Sequence, residues 1–220
     1  MVLDVYVSTE VAEVQALHPD VARPAFRQRS IRDQIRGQAA TLSAGHRAGD
    51  RRIAMQVMSW WPGARGRSLQ EVLGGPFSDE DARNTVSREY GFADWAEVEA
   101  LGNRTPDARF EQALDHVLAG DVAQLRMALQ AHPSLSSARS TYGHRATLLH
   151  YLGANGVESH RQVTPLLAVE IAELLLAHGA DKAATAGMYG GGQTAHDLAR
   201  TSAHPRDAGV AEALTAVLRP

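Results

Sequence analysis

The chain carries the same punctuation twice. Ala48-Gly49-Asp50 is followed, twelve residues after its Asp, by Pro62, and Ala119-Gly120-Asp121 is followed at the same distance by Pro133. Between the marks lie Ala54, Val57 and Met58 in the first copy, and Leu125, Ala128 and Leu129 in the second. That spacing puts each trio on one face of a helix. Glycine ends the preceding helix in the left-handed conformation, and the Asp side chain accepts the first free N–H groups of the next. Each copy is therefore expected to be a helix–tight turn–helix unit. Composition agrees. Three Trp, five Tyr and four Phe in 220 residues leave a core made mostly of Ala, Leu and Val, which suits packed helices better than a thick β-sandwich.

The same counts exclude several chemistries. Without cysteine there is no disulfide, thiol nucleophile, Fe–S cluster or thiolate zinc site. Lys182 is the only lysine, so Schiff-base chemistry is confined to one loop. A net charge of −3 argues against a nucleic-acid surface. No apolar run is long enough to span a bilayer, and the N-terminal stretch carries acids where a targeting peptide needs bases. These features predict a cytoplasmic protein with no membrane or nucleic-acid partner, no cofactor and no metal.

A second unit repeats downstream. It runs from Thr147-Leu148-Leu149-His150-Tyr151 through Ala154-Asn155-Gly156, resumes at residues 169–176, and closes on His178-Gly179-Ala180-Asp181. A shorter copy follows, Gly192-Gln193-Thr194-Ala195-His196-Asp197-Leu198-Ala199, then residues 210–218. This resembles the ankyrin repeat, a unit of ~33 residues made of a turn and two antiparallel helices with a T-P-L-H-x-A signature. Leu148 and Ala195 replace the signature proline, and only the first copy keeps the histidine, His150. Residues 31–50 and 86–98 are similar to the N-terminal helical region of a group of bacterial ankyrin-repeat proteins, and residues 110–133, 140–156 and 189–209 to that group's repeats. The resemblance implies an all-α fold: an ankyrin-repeat-like α-solenoid over residues 106–220, capped by a helical region over 1–105. Residues 1–24 resemble nothing recognised. Leu3, Val5 and Val7 predict a short strand there, followed by a helix ending near His18-Pro19.

Two departures from the repeat period stand out. Residues 157–168 form an insertion of roughly eleven residues by comparison with that period, and residues 201–209 interrupt the last repeat at an equivalent point. The loop 183–192 is also longer than the pattern requires, and its Thr185 and Tyr189 suit a β-hairpin tip. Insertions in repeat arrays map to loops on one face, often the working face.

In or beside those loops lie Tyr142, His144, Arg145, His150, Glu158, His160, Arg161, Tyr189 and His204. A neutral imidazole near pH 7 can serve as base, acid or metal ligand. His150 occupies the signature position, where the resemblance implies hydrogen bonding within and between repeats. His178 precedes Gly-Ala at a helix end and complements its carbonyls. His18, His46, His116 and His132 read as solvated helix or cap positions, and His196 as a surface residue of the last repeat. His144, His160 and His204 fall outside the signature. With Glu158 three histidines could close a zinc site, but pinning of irregular loops is the simpler account, and no zincin spacing is present.

Other motifs have plainer readings. Gly190-Gly191-Gly192 lacks the Lys-Ser/Thr ending of a phosphate loop. Trp60-Trp61-Pro62 reads as packing between helical units, Tyr90, Phe92 and Trp95 as a core staple, and Arg206-Asp207 as a local ion pair. No G-x-S-x-G elbow occurs.

Two functions follow from this reading. The first is a binding module that recognises a protein partner through a concave face of loop tips and helices. The alternative is a small-molecule enzyme or ligand-binding protein whose inserted loops close a pocket. There His144, His160, Glu158 and Tyr142 would do cofactor-free acid–base work as an isomerase, cyclase or lyase, and Arg145, Arg161, Tyr189 and His204 would bind the ligand.

Overall fold

The computed structural model describes residues 4–220. Among them 61% are helical and 4% are in strands, giving an all-α chain of fourteen helices. Two compact units are present. One spans Thr9–Pro106. The other combines residues 4–8 with Asp107–Pro220, so the first strand joins the C-terminal unit, where the sequence reading placed residues 1–105 together.

The second unit starts with strand β1 (Val5–Tyr6), which follows the strand expected from Val5 and Val7; Leu3 lies outside the described residues. The first unit then contains α1 (Thr9–Leu17), α2 (Pro24–Arg27), α3 (Ile31–Arg47), α4 (Ala54–Trp60), α5 (Leu69–Leu73), α6 (Asp79–Glu89) and α7 (Trp95–Leu101). α1 ends at Leu17, where His18-Pro19 predicts the stop. Ser30 caps α3 by accepting from the Asp33 N–H, and the helix buries Ile31, Ile35, Ala39 and Leu42 at helical spacing against α6. The first Gly-Asp mark works as expected. Gly49 takes φ +66° and Asp50 caps a 3-10 turn, Arg51–Ile53, that leads into α4.

His18 and His46 are not solvated, contrary to the sequence expectation. His18 is buried and donates from Nε2 to Gln56 Oε1 at 2.8 Å. His46 bonds the Val72 carbonyl at 2.9 Å and stacks on Phe77 at 4.9 Å. His46 falls on the buried face of α3 and His18 just past the end of α1, and a buried polar side chain must find an internal partner.

In the second unit α8 (Ala108–Ala119) and α9 (Val122–Ala131) form a helix pair joined at Gly120, φ +74°. α10 (Leu148–Leu152), strand β2 (Thr164–Pro165), α11 (Ala168–Ala177), strands β3 (Thr185–Ala186) and β4 (Gln193–Thr194), α12 (Ala195–Thr201), α13 (Ala203–Asp207) and α14 (Ala211–Leu218) complete it. α10 packs against α8 and α12, and α11 against α9 and α14. Phe110, Leu114, Leu125, Leu148, Ile171, Leu175, Leu198 and Leu214 are buried in one core. β3 and β4 pair antiparallel around the 187–192 tip, in the hairpin the sequence predicts.

The insertions are more ordered than loops. Residues 201–209 contain the helix α13, capped by Ser202, so His204 is helical rather than loop-borne. Residues 157–168 carry a 3-10 turn (Ser159–Arg161) and β2, which pairs antiparallel with β1. Tyr6 faces Thr164, Val5 faces Pro165, and the Leu166 N–H donates to the Asp4 carbonyl at 3.0 Å. Pro165 tolerates the strand because it lies at an edge. Removing residues 1–7 is therefore expected to unpair β2 and to speed amide hydrogen exchange at residues 158–166, with α8 and α9 still protected. Exchange mass spectrometry reads the difference.

Candidate functional site

A charge inside an apolar stripe marks the site. On α8 the buried face is Phe110, Ala113, Leu114 and Val117, and Glu111 sits within it. A lone carboxylate there would be costly. The inserted segment supplies the counter-ion: Arg161 Nη2 bonds Glu111 Oε2, and its Nη1 donates to Glu158 Oε1 at 3.1 Å. Tyr151 of α10 donates from its hydroxyl to the same Glu158 oxygen at 3.4 Å. All four side chains are buried.

His144 faces the other carboxylate oxygen. Its Nδ1 accepts the Ala146 N–H at 3.1 Å, which leaves the ring proton on Nε2, 3.6 Å from Glu158 Oε2. The ring lies edge-on between Tyr142 and Tyr151, at 6.0 and 6.1 Å, and the Arg161 guanidinium lies over Tyr142 at 5.9 Å. Local backbone aims His144 inward. Arg145 takes φ +55°, uncommon for a residue with a side chain, as the chain turns from Tyr142. The His144 carbonyl accepts the Gly187 N–H at 2.7 Å, and Arg139 Nη1 bridges the Arg145 and Thr185 carbonyls at 2.9 and 2.7 Å. The 140–146 loop is thus fastened to the β3–β4 hairpin.

Burial alone would raise the Glu158 carboxyl, but Arg161 and then His144 outweigh it and hold it well below the ordinary carboxylate range. Burial, reinforced by the Glu158 charge, pushes the Tyr151 hydroxyl well up. For Arg161, burial opposes the charged form, but Glu111 and Glu158 overcome it and raise its pKa well above the usual value. The cluster is a carboxylate–guanidinium–carboxylate bridge with an imidazole N–H at one end.

Of the residues singled out from sequence, Tyr142, His144, Glu158 and Arg161 come together here. His160 is half-buried beside them and its charge acts on Glu158. Arg145 is exposed and donates from Nη1 to the Ser140 carbonyl at 3.1 Å. Tyr189, with φ +52°, is largely exposed and donates to Asn155 Oδ1 at 2.6 Å, away from the bridge. His204 opens α13. His150 fills the structural role the resemblance implies: Nδ1 accepts the Thr147 N–H at 3.1 Å and Nε2 bonds the Gln193 carbonyl at 3.2 Å. Its burial lowers its pKa to about 4.

Sequence reasoning missed two features. Glu111 was readable as a carboxylate one position after Phe110 on an apolar face. In the first unit, buried His18 reaches buried Glu89 through Gln56, whose Nε2 donates to Glu89 Oε2 at 2.7 Å. Gln56 on α4, Glu89 on α6 and His18 just past α1 lie too far apart in the chain to give a local spacing. Among the described residues no group of three or more His, Asp or Glu could hold a metal ion, and no helix is long and apolar enough to cross a membrane.

Comparison with protein-family models, with curated proteins and with solved structures finds no significant match.

Replacing Arg161 by Met strands two buried carboxylates, so the variant is expected to lose about 3–5 kcal/mol at pH 7. Adding Glu111→Gln and Glu158→Gln should recover most of that loss, and urea denaturation measures both. The folded Glu158 pKa is depressed, so its contribution is complete above the unfolded value of about 4.3 and drains as pH falls below it. Glu158→Gln should flatten the stability profile in that window.

His150 acts at higher pH. The unfolded chain takes up its proton near pH 6.5 and the folded chain only near 4. Stability held by neutral His150 is therefore full above about 6.5 and declines toward pH 4. His150→Gln should show a shallower decline across that interval than the parent, read from melting temperatures at stepped pH.

Proposed function

We infer that the chain is a recognition module for a protein partner, built on ankyrin-like stacked helix pairs whose enlarged segments are pinned in place. One observation carries this reading: the side chains best suited to chemistry, His144, Glu158, Arg161 and Tyr142, are sealed in the interior, with Arg161 bonded to Glu158 and His144 Nε2 3.6 Å from its second oxygen. Catalysis would require a substrate at His144 Nε2, whose side chain has 0% exposure. A closed bridge fixes loop shape, and fixed loop shape suits recognition.

Two further features favour it. The rows α8–α10–α12 and α9–α11–α14 follow the order expected of a stacked repeat array. The same unit exposes Val7, Met127, Leu166 and Tyr189, large apolar side chains of the kind that anchor interfaces.

The test pairs surface and interior changes. Affinity capture with the wild-type chain, followed by titration of the purified partner, should give a complex that Leu166→Asp or Met127→Glu weakens about tenfold or more at unchanged melting temperature. His144→Ala should lower melting temperature first. If both surface variants keep full affinity, or if a small molecule binds in a manner lost in the His144→Ala/His160→Ala pair at unchanged stability, the recognition reading fails in favour of a pocket.

A further inference from the structure

The first unit holds a hollow of about 200 Å³ lined by Arg36, Ala39, Ala40 and Arg47 of α3 and by Asp79 and Arg83 of α6. The periodicity of both helices builds it. Arg36, Ala39, Ala40 and Arg47 share one face of α3, and Asp79 and Arg83, four apart, share one face of α6. The two alanines leave the space that longer side chains would fill. Three guanidiniums against a single lining carboxylate leave this wall positive.

The guanidiniums are only partly committed. Arg47 Nη1 donates to Ser43 Oγ at 2.8 Å and to Asp79 Oδ1 at 3.1 Å. Arg36 Nη1 donates to Asp33, outside the lining, at 2.9 Å. Arg83 has a buried Nε with no hydrogen-bond partner. Beneath the wall, Trp95 at the start of α7 holds two of the cations: Arg36 lies 5.6 Å from the indole centroid and Arg83 6.0 Å. The backbone N–H of Trp95 donates to Asn84 Oδ1 at 2.8 Å, which ties the start of α7 to α6. Cation–π contact brings two like charges to one ring without neutralising either. A surface arginine would ordinarily be solvated and free to swing. Here two are positioned in advance around an alanine-floored hollow, the arrangement that favours bidentate capture of an oxyanion.

We propose that this hollow binds the phosphoryl group of a small phosphorylated compound, held by Arg36, Arg47 and Arg83. A dianion with several tetrahedral oxygens offers more acceptors and more charge to forks from two helices than a planar monoanionic carboxylate does. Asp79 pairs with Arg47 and so competes with the incoming anion.

That competition supplies a test with two signs. The full-length protein is titrated calorimetrically with inorganic phosphate and with glycerol phosphate, with sodium chloride and acetate at matched ionic strength as controls. Saturable binding of either phosphate, with none for acetate, is expected. Binding of glycerol phosphate tighter than inorganic phosphate identifies an esterified ligand, and the reverse order identifies the free anion. Arg47→Gln and Arg83→Gln should each weaken binding about tenfold. Asp79→Asn should strengthen it, which preserves the test if Arg83→Gln proves unstable. The proposal is overturned if phosphate acts no differently from chloride, if acetate binds equally well, or if Arg47→Gln and Asp79→Asn leave the affinity unchanged.

Discussion

Arg161 is the side chain on which the second unit's irregular parts depend. Its two Nη atoms reach Glu111 on α8 and Glu158 at the head of the inserted turn, so one guanidinium ties a regular helix to a segment that the repeat pattern does not require. Without it, two carboxylates would be left in the interior without a cation, a state that folding disfavours by more than most single contacts can offset. The neighbouring groups follow from this bridge. Tyr151 donates to Glu158, His144 turns its N–H toward the same carboxylate, and Tyr142 lies under the guanidinium.

The helical framework was legible because its signals are local. Gly49-Asp50 and Gly120-Asp121 each combine a left-handed glycine with a capping carboxylate, and a cap needs only the next three residues to declare itself. Thr194 and Asp197 box the start of α12 in the same way. The β3–β4 hairpin could be read from Thr185 and Tyr189. Residues 201–209 were harder. The segment read as an inserted loop, yet Ser202 caps a short helix within it.

The site was half legible. Tyr142, His144, Glu158 and Arg161 could be grouped because they lie in or beside departures from a repeat period. Glu111 lies outside those departures, fifty residues before its partner, and no pattern within α8 names Arg161. The sequence also offered no means of separating a lining residue from a sealed one. Tyr189 and Tyr142 look alike in the chain, but the first is exposed at a strained turn and the second is buried beneath a guanidinium. Gln38 and Gln56 illustrate the converse: polar residues that no sequence pattern singles out, buried as donors to Tyr90 and Glu89.

The pairing of Glu111 with the inserted segment also constrains how this chain can change by insertion and deletion. Trimming residues 157–168 to restore a regular repeat would remove Arg161 and Glu158 together, and with them the strand that β1 holds. Glu111 would then be an isolated anion in an apolar helix face. The shortened chain would be viable only with an uncharged side chain at that position, so the insertion and the carboxylate fifty residues before it form one heritable unit.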